Sequence, residues 1–294
     1  MDPEANRKAT IVEDARPFAL GPRPGLLDQA LSGGWATFKR AWPLLLVASL
    51  VIIGGGIPGQ VVSQFGQILG NAIRQGGGNQ GAAALIMGTT AFLGLLLSVL
   101  VQWPAQVGAM TAALCAARGD SGNYGATLAG FRRFGTSLLV MLLVTLCGVV
   151  AVIPGFIPIV IGIVLAAIDG AQGNIGPTAI IGFVLIGVGV LIALAGSLYV
   201  TSRTMLAPMR ALDPVLAKVG AVEALSQTWA ATRGNVLPLL GITLLAGVVF
   251  ILGVVACCIG VVLFSWPLWL AWLAAAYRVL FEEPSAEPVG GTEL

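Results

Sequence analysis

The feature that most constrains this chain is a series of apolar runs that are as long as a membrane is thick. Charged residues make up only 10% of the 294 residues, and most of them lie in a few clusters between these runs. Because about 18 consecutive apolar residues can cross the hydrocarbon of a bilayer, the sequence predicts an all-α, polytopic membrane protein. Soluble helices need polar faces and membrane β-strands alternate in short segments, and the long apolar runs show neither pattern.

Six of these runs have the length of membrane spans. We place them at 43–69, 83–116, 137–168, 178–206, 236–257 and 260–281. Pro58, Pro154 and Pro158 fall inside odd-numbered spans and predict kinks, because proline removes a backbone donor. The flanking segments 1–26 and 282–294 mix charges with proline and lack helical periodicity, so we expect disordered tails around a membrane domain at 27–281.

The basic residues divide unequally between the two sides of the predicted spans. All of the 15 Lys and Arg residues except Arg74 lie on the side that carries both termini. Cytoplasmic segments of membrane proteins carry an excess of Lys and Arg. Both termini are therefore predicted to be cytoplasmic, which requires an even number of spans.

A short, half-polar phrase occurs twice. Residues 30–43 read ALSGGWATFKRAWP and residues 224–234 read ALSQTWAATRG, and Ala, Leu, Ser, Trp and a basic residue recur at one constant offset. Each copy precedes an odd-numbered span, and a looser copy at 123–135, NYGATLAGFRRFG, precedes the third span. We therefore predict three tandem units of the same orientation, each an interfacial helix followed by a transmembrane hairpin. Their approximate limits are 27–118, 122–212 and 214–281.

The phrase has the periodicity of an amphipathic helix. In the first copy, the bulky residues on one helical face are Leu27, Leu31, Trp35, Phe38 and Trp42. In the second copy, Asp213 and Pro214 predict a helix start. The residues that then share a face are Val215, Val219, Val222, Leu225 and Trp229. Such helices lie along the headgroup plane of a membrane, with tryptophan at the interface.

Cations beside these helices are candidate ligands for lipid headgroups, since each contributes about 1 kcal/mol near an anionic surface. The candidate interface residues in the phrases are Trp35, Lys39, Arg40, Arg132, Arg133, Trp229 and Arg233. Arg203 and Arg210, on one helical face after the fourth span, complete the set. They form either a cationic pocket for a headgroup or a pair of side chains that snorkel to the membrane surface. For the whole set, anchoring alone is the alternative to lipid recognition.

Residues that carry enzymatic chemistry are scarce. The chain has no histidine, and no Asp or Glu lies well inside a predicted span. This pattern argues against a proton-driven pump, which keeps ionisable groups deep within the membrane. It is compatible with a facilitator, which needs no such groups. The four cysteines lie in apolar runs and are interpreted as buried hydrophobes: Cys115, Cys147, Cys257 and Cys258. We expect no catalytic residue, metal or cofactor, and the small net charge of +2 predicts no nucleic-acid partner.

Glycine is frequent, with 40 residues in the chain. In the fourth span, Gly182, Gly187, Gly189 and Gly196 are candidates for close packing, because helices approach each other most closely where a side chain is missing.

Two stretches resemble a known family of membrane domains. They are EALSQTWAATRGNVLPLLGITLL at 223–245 and AWLAAAYRVLFEE at 271–283. They are similar to the membrane domain attached to some glycerophosphodiester phosphodiesterases and to related, uncharacterised six-span bacterial membrane proteins. The residues that carry the resemblance are Ala224, Leu225, Trp229, Arg233, Asn235, Tyr277 and Arg278. The phosphodiesterase barrel has no counterpart here, so the resemblance implies a membrane module and does not imply hydrolysis.

These observations favour a non-enzymatic, multi-pass protein of the bacterial cytoplasmic (inner) membrane that organises or binds lipids or membrane partners. The expected partners are membrane lipids, anionic ones in particular, with a membrane protein or a second copy of the chain as open alternatives. The rival hypothesis is a transporter or channel for a small or amphipathic solute, and a membrane hydrolase is the third. A polar cavity would favour the rival, whereas a tightly packed bundle would favour the first hypothesis.

Overall fold

The computed structural model describes residues 22–77, 79–170, 176–216, 218–255 and 259–282. Most of both predicted tails, and Cys257 and Cys258, lie outside these ranges. Within them every regular element is a helix, and six helices are long and apolar enough to cross a membrane. The predicted all-α, polytopic class is confirmed.

The helices follow the predicted order along the chain. The α-helices are α1 Leu26–Gln75, α2 Gln80–Ala117, α3 Ala129–Arg132, α4 Phe134–Gly170, α5 Pro177–Thr204, α6 Ala207–Leu212, α7 Ala221–Ala231, α8 Val236–Val255 and α9 Trp266–Phe281. A 3₁₀ turn, Tyr124–Leu128, precedes α3, and a π-helix, Val261–Ser265, leads into α9. The first hairpin consists of α1 and α2, the second of α4 and α5, and the third of α8 and α9.

The first interfacial helix and the first span form one element, α1, with a break at Ala41. Ala41 has φ −119° and ψ 24°, outside the helical region. Pro43 explains the break, because it offers no backbone N–H to the carbonyl of Lys39 and its ring clashes with that carbonyl. The backbone of α1 does not leave helical geometry at Pro58, where a kink was predicted.

The helix of the second phrase begins later than predicted. Residues 213–216 form a bend in which Asp213 Oδ1 accepts the backbone N–H groups of Val215 at 2.8 Å and Leu216 at 3.2 Å. The helix α7 starts only at Ala221. The third, looser phrase is also shorter than expected, since it folds as a 3₁₀ turn and the four-residue α3.

The second hairpin is held together by reciprocal glycine contacts. A Cβ atom placed on Gly155 would lie 2.5 Å from the carbonyl oxygen of Gly189, and one on Gly189 would lie 2.6 Å from that of Gly155. Gly162 and Gly182 form a second pair of the same kind, with the same two distances. The helix backbones touch at both crossings, so a side chain has no room there.

The predicted packing glycines of the fourth span divide by their position around α5. Gly182, Gly189 and Gly196 meet the backbone of α4, whereas a Cβ on Gly187 would have nothing within 4 Å. Helical rotation decides the difference, because Gly187 points away from the partner helix.

One end of the molecule contains a core shared by most of the long helices. Its largest fully buried side chains come from α1, α2, α6, α8 and α9, and include Leu45, Leu114, Met209, Leu239 and Tyr277. The start of α1 runs antiparallel to α9, with Gly34 against Trp272 and Gly33 against Ala275. The third hairpin closes where Ser265 Oγ donates to the carbonyl of Val249 at 2.9 Å.

Two glycines of α5 provide a matched test of this packing. We expect Gly189→Leu to lower the free energy of unfolding by about 1–3 kcal/mol, the usual cost of overpacking. Gly187→Leu, two positions away, should leave it unchanged because the side chain enters open space. Unfolding by SDS in mixed micelles, followed by tryptophan fluorescence, measures both. Equal effects of the two variants would contradict the reciprocal glycine contact.

Candidate functional site

Both full copies of the repeated phrase bury small residues and expose their tryptophan. The buried residues at the start of α1 include Ala30, Gly34, Thr37 and Ala41, and those of α7 are Ala221, Ala224, Thr228 and Ala231. Trp35 is 41% exposed and Trp229 is 38% exposed. The two helices therefore attach to the protein by their small face and present an indole outward, where a membrane interface accommodates it.

Four of the candidate cations have side chains without a hydrogen bond or an ion pair among the described residues. They are Lys39, Arg132, Arg133 and Arg233. Lys39 Nζ lies 5.3 Å from the centre of the Trp35 ring, in cation–π geometry. Arg40 is exposed as well, but its Nη2 donates to the carbonyl of Ala116 at 2.9 Å. That contact places a positive charge at the C-terminus of α2, where the helix dipole favours it.

Arg203 and Arg210 are buried and bonded to other parts of the chain. Arg203 is 6% exposed, its guanidinium carbon lies 4.3 Å from the centre of the Trp229 ring, and its Nη2 donates to the Trp229 carbonyl. Arg210 is 4% exposed, and its Nε donates to Gln227 Oε1 at 2.7 Å. Neither an open headgroup pocket nor snorkelling fits these positions. Both arginines instead fasten α7 to α5 and α6.

A buried polar network joins the connections between the three hairpins. Asp213, at the end of α6, is fully buried, and its Oδ2 accepts hydrogen bonds from Arg118 Nη2 at 2.8 Å and Tyr277 Oη at 2.7 Å. Arg118 follows α2, and Tyr277 belongs to α9. Because Oδ1 of the same carboxylate accepts two backbone N–H groups, Asp213 is satisfied on both oxygens.

The network extends to Glu282, directly after α9. Arg118 Nε donates to Glu282 Oε1 at 2.8 Å, and Arg278 Nε donates to Glu282 Oε2 at 3.1 Å. Arg278 Nη1 also donates to the carbonyl of Ala117 at 2.7 Å, beside the contact made by Arg40. Two arginines thus satisfy the last carbonyls of α2, which have no partner within the helix.

The network shifts the proton affinity of both members of its central ion pair. Burial alone would raise the pKa of Asp213, but the hydrogen bonds from Arg118, Tyr277 and the backbone outweigh it, and the pKa lies below its usual value. Burial alone would lower the pKa of Arg118, but the carboxylates of Asp213 and Glu282 raise it above its usual value. Both groups remain charged at neutral pH.

An open, apolar groove of about 910 Å³ runs along one side of the second hairpin. Its wall includes Val144, Gly148, Val152 and Phe156 of α4. Ser197 and Thr201 of α5 supply hydroxyl groups near one end. From Val144 to Ile161, which also lines it, the groove follows α4 for about 26 Å at 1.5 Å per residue. That length is close to the hydrocarbon thickness of a bilayer, about 30 Å.

Asp213→Asn tests the network through pH. Because the folded pKa of Asp213 is depressed, its stabilisation is present above the unfolded pKa of about 3.9 and is lost as the pH falls through the folded pKa. We expect the free energy of unfolding of the variant to be about 3 kcal/mol lower at pH 7. This is the lower end of the usual cost of breaking a buried ion pair, because Glu282 still neutralises Arg118.

The measurement is unfolding in mixed micelles between pH 7 and pH 3. The difference from the wild-type protein should shrink below about pH 4. Asp28→Asn is the control, since Asp28 is exposed and forms no ion pair among the described residues. A difference that stays constant down to pH 3 would contradict the assignment.

Comparison with models of known families, with curated proteins and with solved structures finds no match to this chain. The resemblance to the membrane domain of some glycerophosphodiester phosphodiesterases stays a prediction. The function is therefore argued from the geometry of the molecule.

Proposed function

We propose that this chain is a non-enzymatic, multi-pass protein of the bacterial cytoplasmic membrane that binds phospholipids and organises them around its second hairpin. The observation that carries the proposal is the apolar groove between Val144 and Ile161 on α4. Acyl chains are the occupant that fits it, because the groove is apolar, opens outward along a membrane span and has nearly the length of the hydrocarbon layer.

The unpaired cations support the same function at the headgroup level. Lys39, Arg132 and Arg233 are exposed. Their location on the side with nearly all basic residues makes that side the cytoplasmic one in this proposal, with both termini there. Anionic headgroups of the inner leaflet would then meet three cations that the protein itself does not neutralise.

The tandem units are part of the proposal. The burial of the two full phrases follows one register, since Ala30 and Ala224 are buried, while Trp35 and Trp229 are exposed. We infer that the start of α1 and the helix α7 are repeated interfacial helices that orient the hairpins behind them.

The rival function, a transporter or channel, would require a polar path between the spans. Two grooves on the described part of the chain, one along α4 and one along α2, have walls made mostly of apolar and small side chains. That chemistry suits lipid better than a polar solute. An amphipathic solute that enters from the bilayer is the form of transport closest to this geometry.

Filling the groove tests acyl-chain binding. Gly148 lines the groove, and a Cβ there would have nothing within 4 Å. Gly148→Phe should therefore occupy the groove and displace one tightly retained phospholipid, as counted by native mass spectrometry after gentle extraction. Gly54→Phe is the control, because Gly54 also faces open space but lies on α1. Unchanged lipid retention in Gly148→Phe would exclude the groove as the binding site.

Removing the free cations tests headgroup recognition separately. In a variant with Lys39→Gln, Arg132→Gln and Arg233→Gln, we expect anionic lipid to be retained about fivefold less per charge removed, from about 1 kcal/mol each. Zwitterionic lipid should be unaffected. Arg74→Gln removes a cation from the opposite side and serves as the control. If anionic lipid persists in the triple variant, the cations only anchor the protein.

A further inference from the structure

The half of α1 that lies away from the shared core carries a row of carboxamides that the proposed lipid contacts do not use. Gln60, Gln64, Gln67 and Asn71 follow at intervals of four, three and four positions, and all four residues are exposed. This spacing places them on one face of the helix. The face toward α2 is a different one, since glycines form that contact.

These carboxamides have no partner within the described chain. No hydrogen bond of the described residues engages any of the four side chains. The neighbouring exposed positions of the same helix segment are apolar, among them Val61, Phe65 and Ile68. Gln60, Gln64 and Gln67 lie within the predicted span 43–69, where a carboxamide favours a hydrogen-bonded partner, because leaving its donors and acceptors unpaired outside water costs free energy.

The chemistry of the row identifies the partner that complements it. A carboxamide both donates and accepts hydrogen bonds, so a row of carboxamides matches an identical row. Copies of one chain insert into a membrane in the same orientation, and α1 of two copies would run parallel, with each carboxamide at the depth of its counterpart. Alternating intervals of three and four are those of a seam between two parallel helices.

We propose that this face of α1 is the contact surface for a second copy of the chain. In the dimer, Gln60, Gln64, Gln67 and Asn71 of one copy exchange hydrogen bonds with the same residues of the other. The contact uses the first hairpin and leaves the groove of the second hairpin open to lipid. Self-association and lipid binding are therefore independent, and either can fail without the other.

Disulfide trapping in isolated membranes tests the contact without detergent. In a background with all four native cysteines replaced by alanine, one set of variants is Gln60→Cys, Gln64→Cys, Gln67→Cys and Asn71→Cys. The offset set is Val61→Cys, Phe65→Cys, Ile68→Cys and Ala72→Cys. A disulfide requires Cα atoms within about 7 Å, so oxidation with copper phenanthroline should give at least about tenfold more dimer in the first set.

A second measurement keeps the native cysteines and removes two of the four carboxamides. Gln64→Leu combined with Gln67→Leu should weaken dimerisation in liposomes about ninefold, measured by energy transfer between labelled copies. This follows from about threefold for each interhelical hydrogen bond in a bilayer. Gln64→Asn keeps a carboxamide and should retain most of the affinity. Thr89→Val, which removes an exposed hydroxyl from α2 of the same hairpin, is the control.

Three outcomes would overturn the proposal. They are no disulfide dimer in either set, equal yields in both sets, and unchanged dimerisation of the double leucine variant. After any of these results, the row of carboxamides would not be a contact between two copies of the chain.

Discussion

The carboxylate of Asp213 is the point at which the three hairpins of this molecule are joined. It lies in the connection between the second and third hairpins, and it accepts hydrogen bonds from Arg118, after the first hairpin, and from Tyr277, in the last helix. A fully buried carboxylate is stable only when charge and hydrogen bonds compensate for its lost hydration. The connections must therefore meet at one place, and the helices that lead into them share one core.

The connections between the hairpins meet at one end of the molecule. Away from that end, the first and second hairpins are each stabilised mainly by contacts between their own two helices. The second hairpin meets the rest of the chain near the joined end, where Val140 of α4 and Val107 of α2 share a buried cluster. Farther along, α4 and α5 hold each other by glycine contacts such as Gly155 with Gly189. Their remaining faces are apolar and exposed, so the groove opens outward, and in the proposed function acyl chains enter it there.

The sequence predicts the membrane spans because an apolar run is a local signal. It does not predict the polar network around Asp213, because that network depends on residues that are far apart in the chain. Apolar length alone places α8 at its observed start, Val236. In contrast, Asp213 followed by proline has the local signature of a helix start, and its partners Arg118 and Tyr277 each have an unremarkable position near a helix end. Gly187 and Gly189 are equivalent by composition, and only the rotation of α5 against α4 distinguishes them.

The exposed position of the tryptophans follows in part from packing. Their exposure is therefore not evidence for lipid binding by itself. The start of α1 approaches α9 so closely that a Cβ on Gly34 would meet the backbone of Trp272. Small residues such as Ala30 and Gly34 fill the part of that face that contacts α9, and a bulky residue such as Trp35 lies on the outer face. Exposure of an indole is thus expected even without a lipid site. The case for lipid recognition depends instead on what packing does not explain, namely the open groove and cations such as Lys39 and Arg233 that no described side chain neutralises.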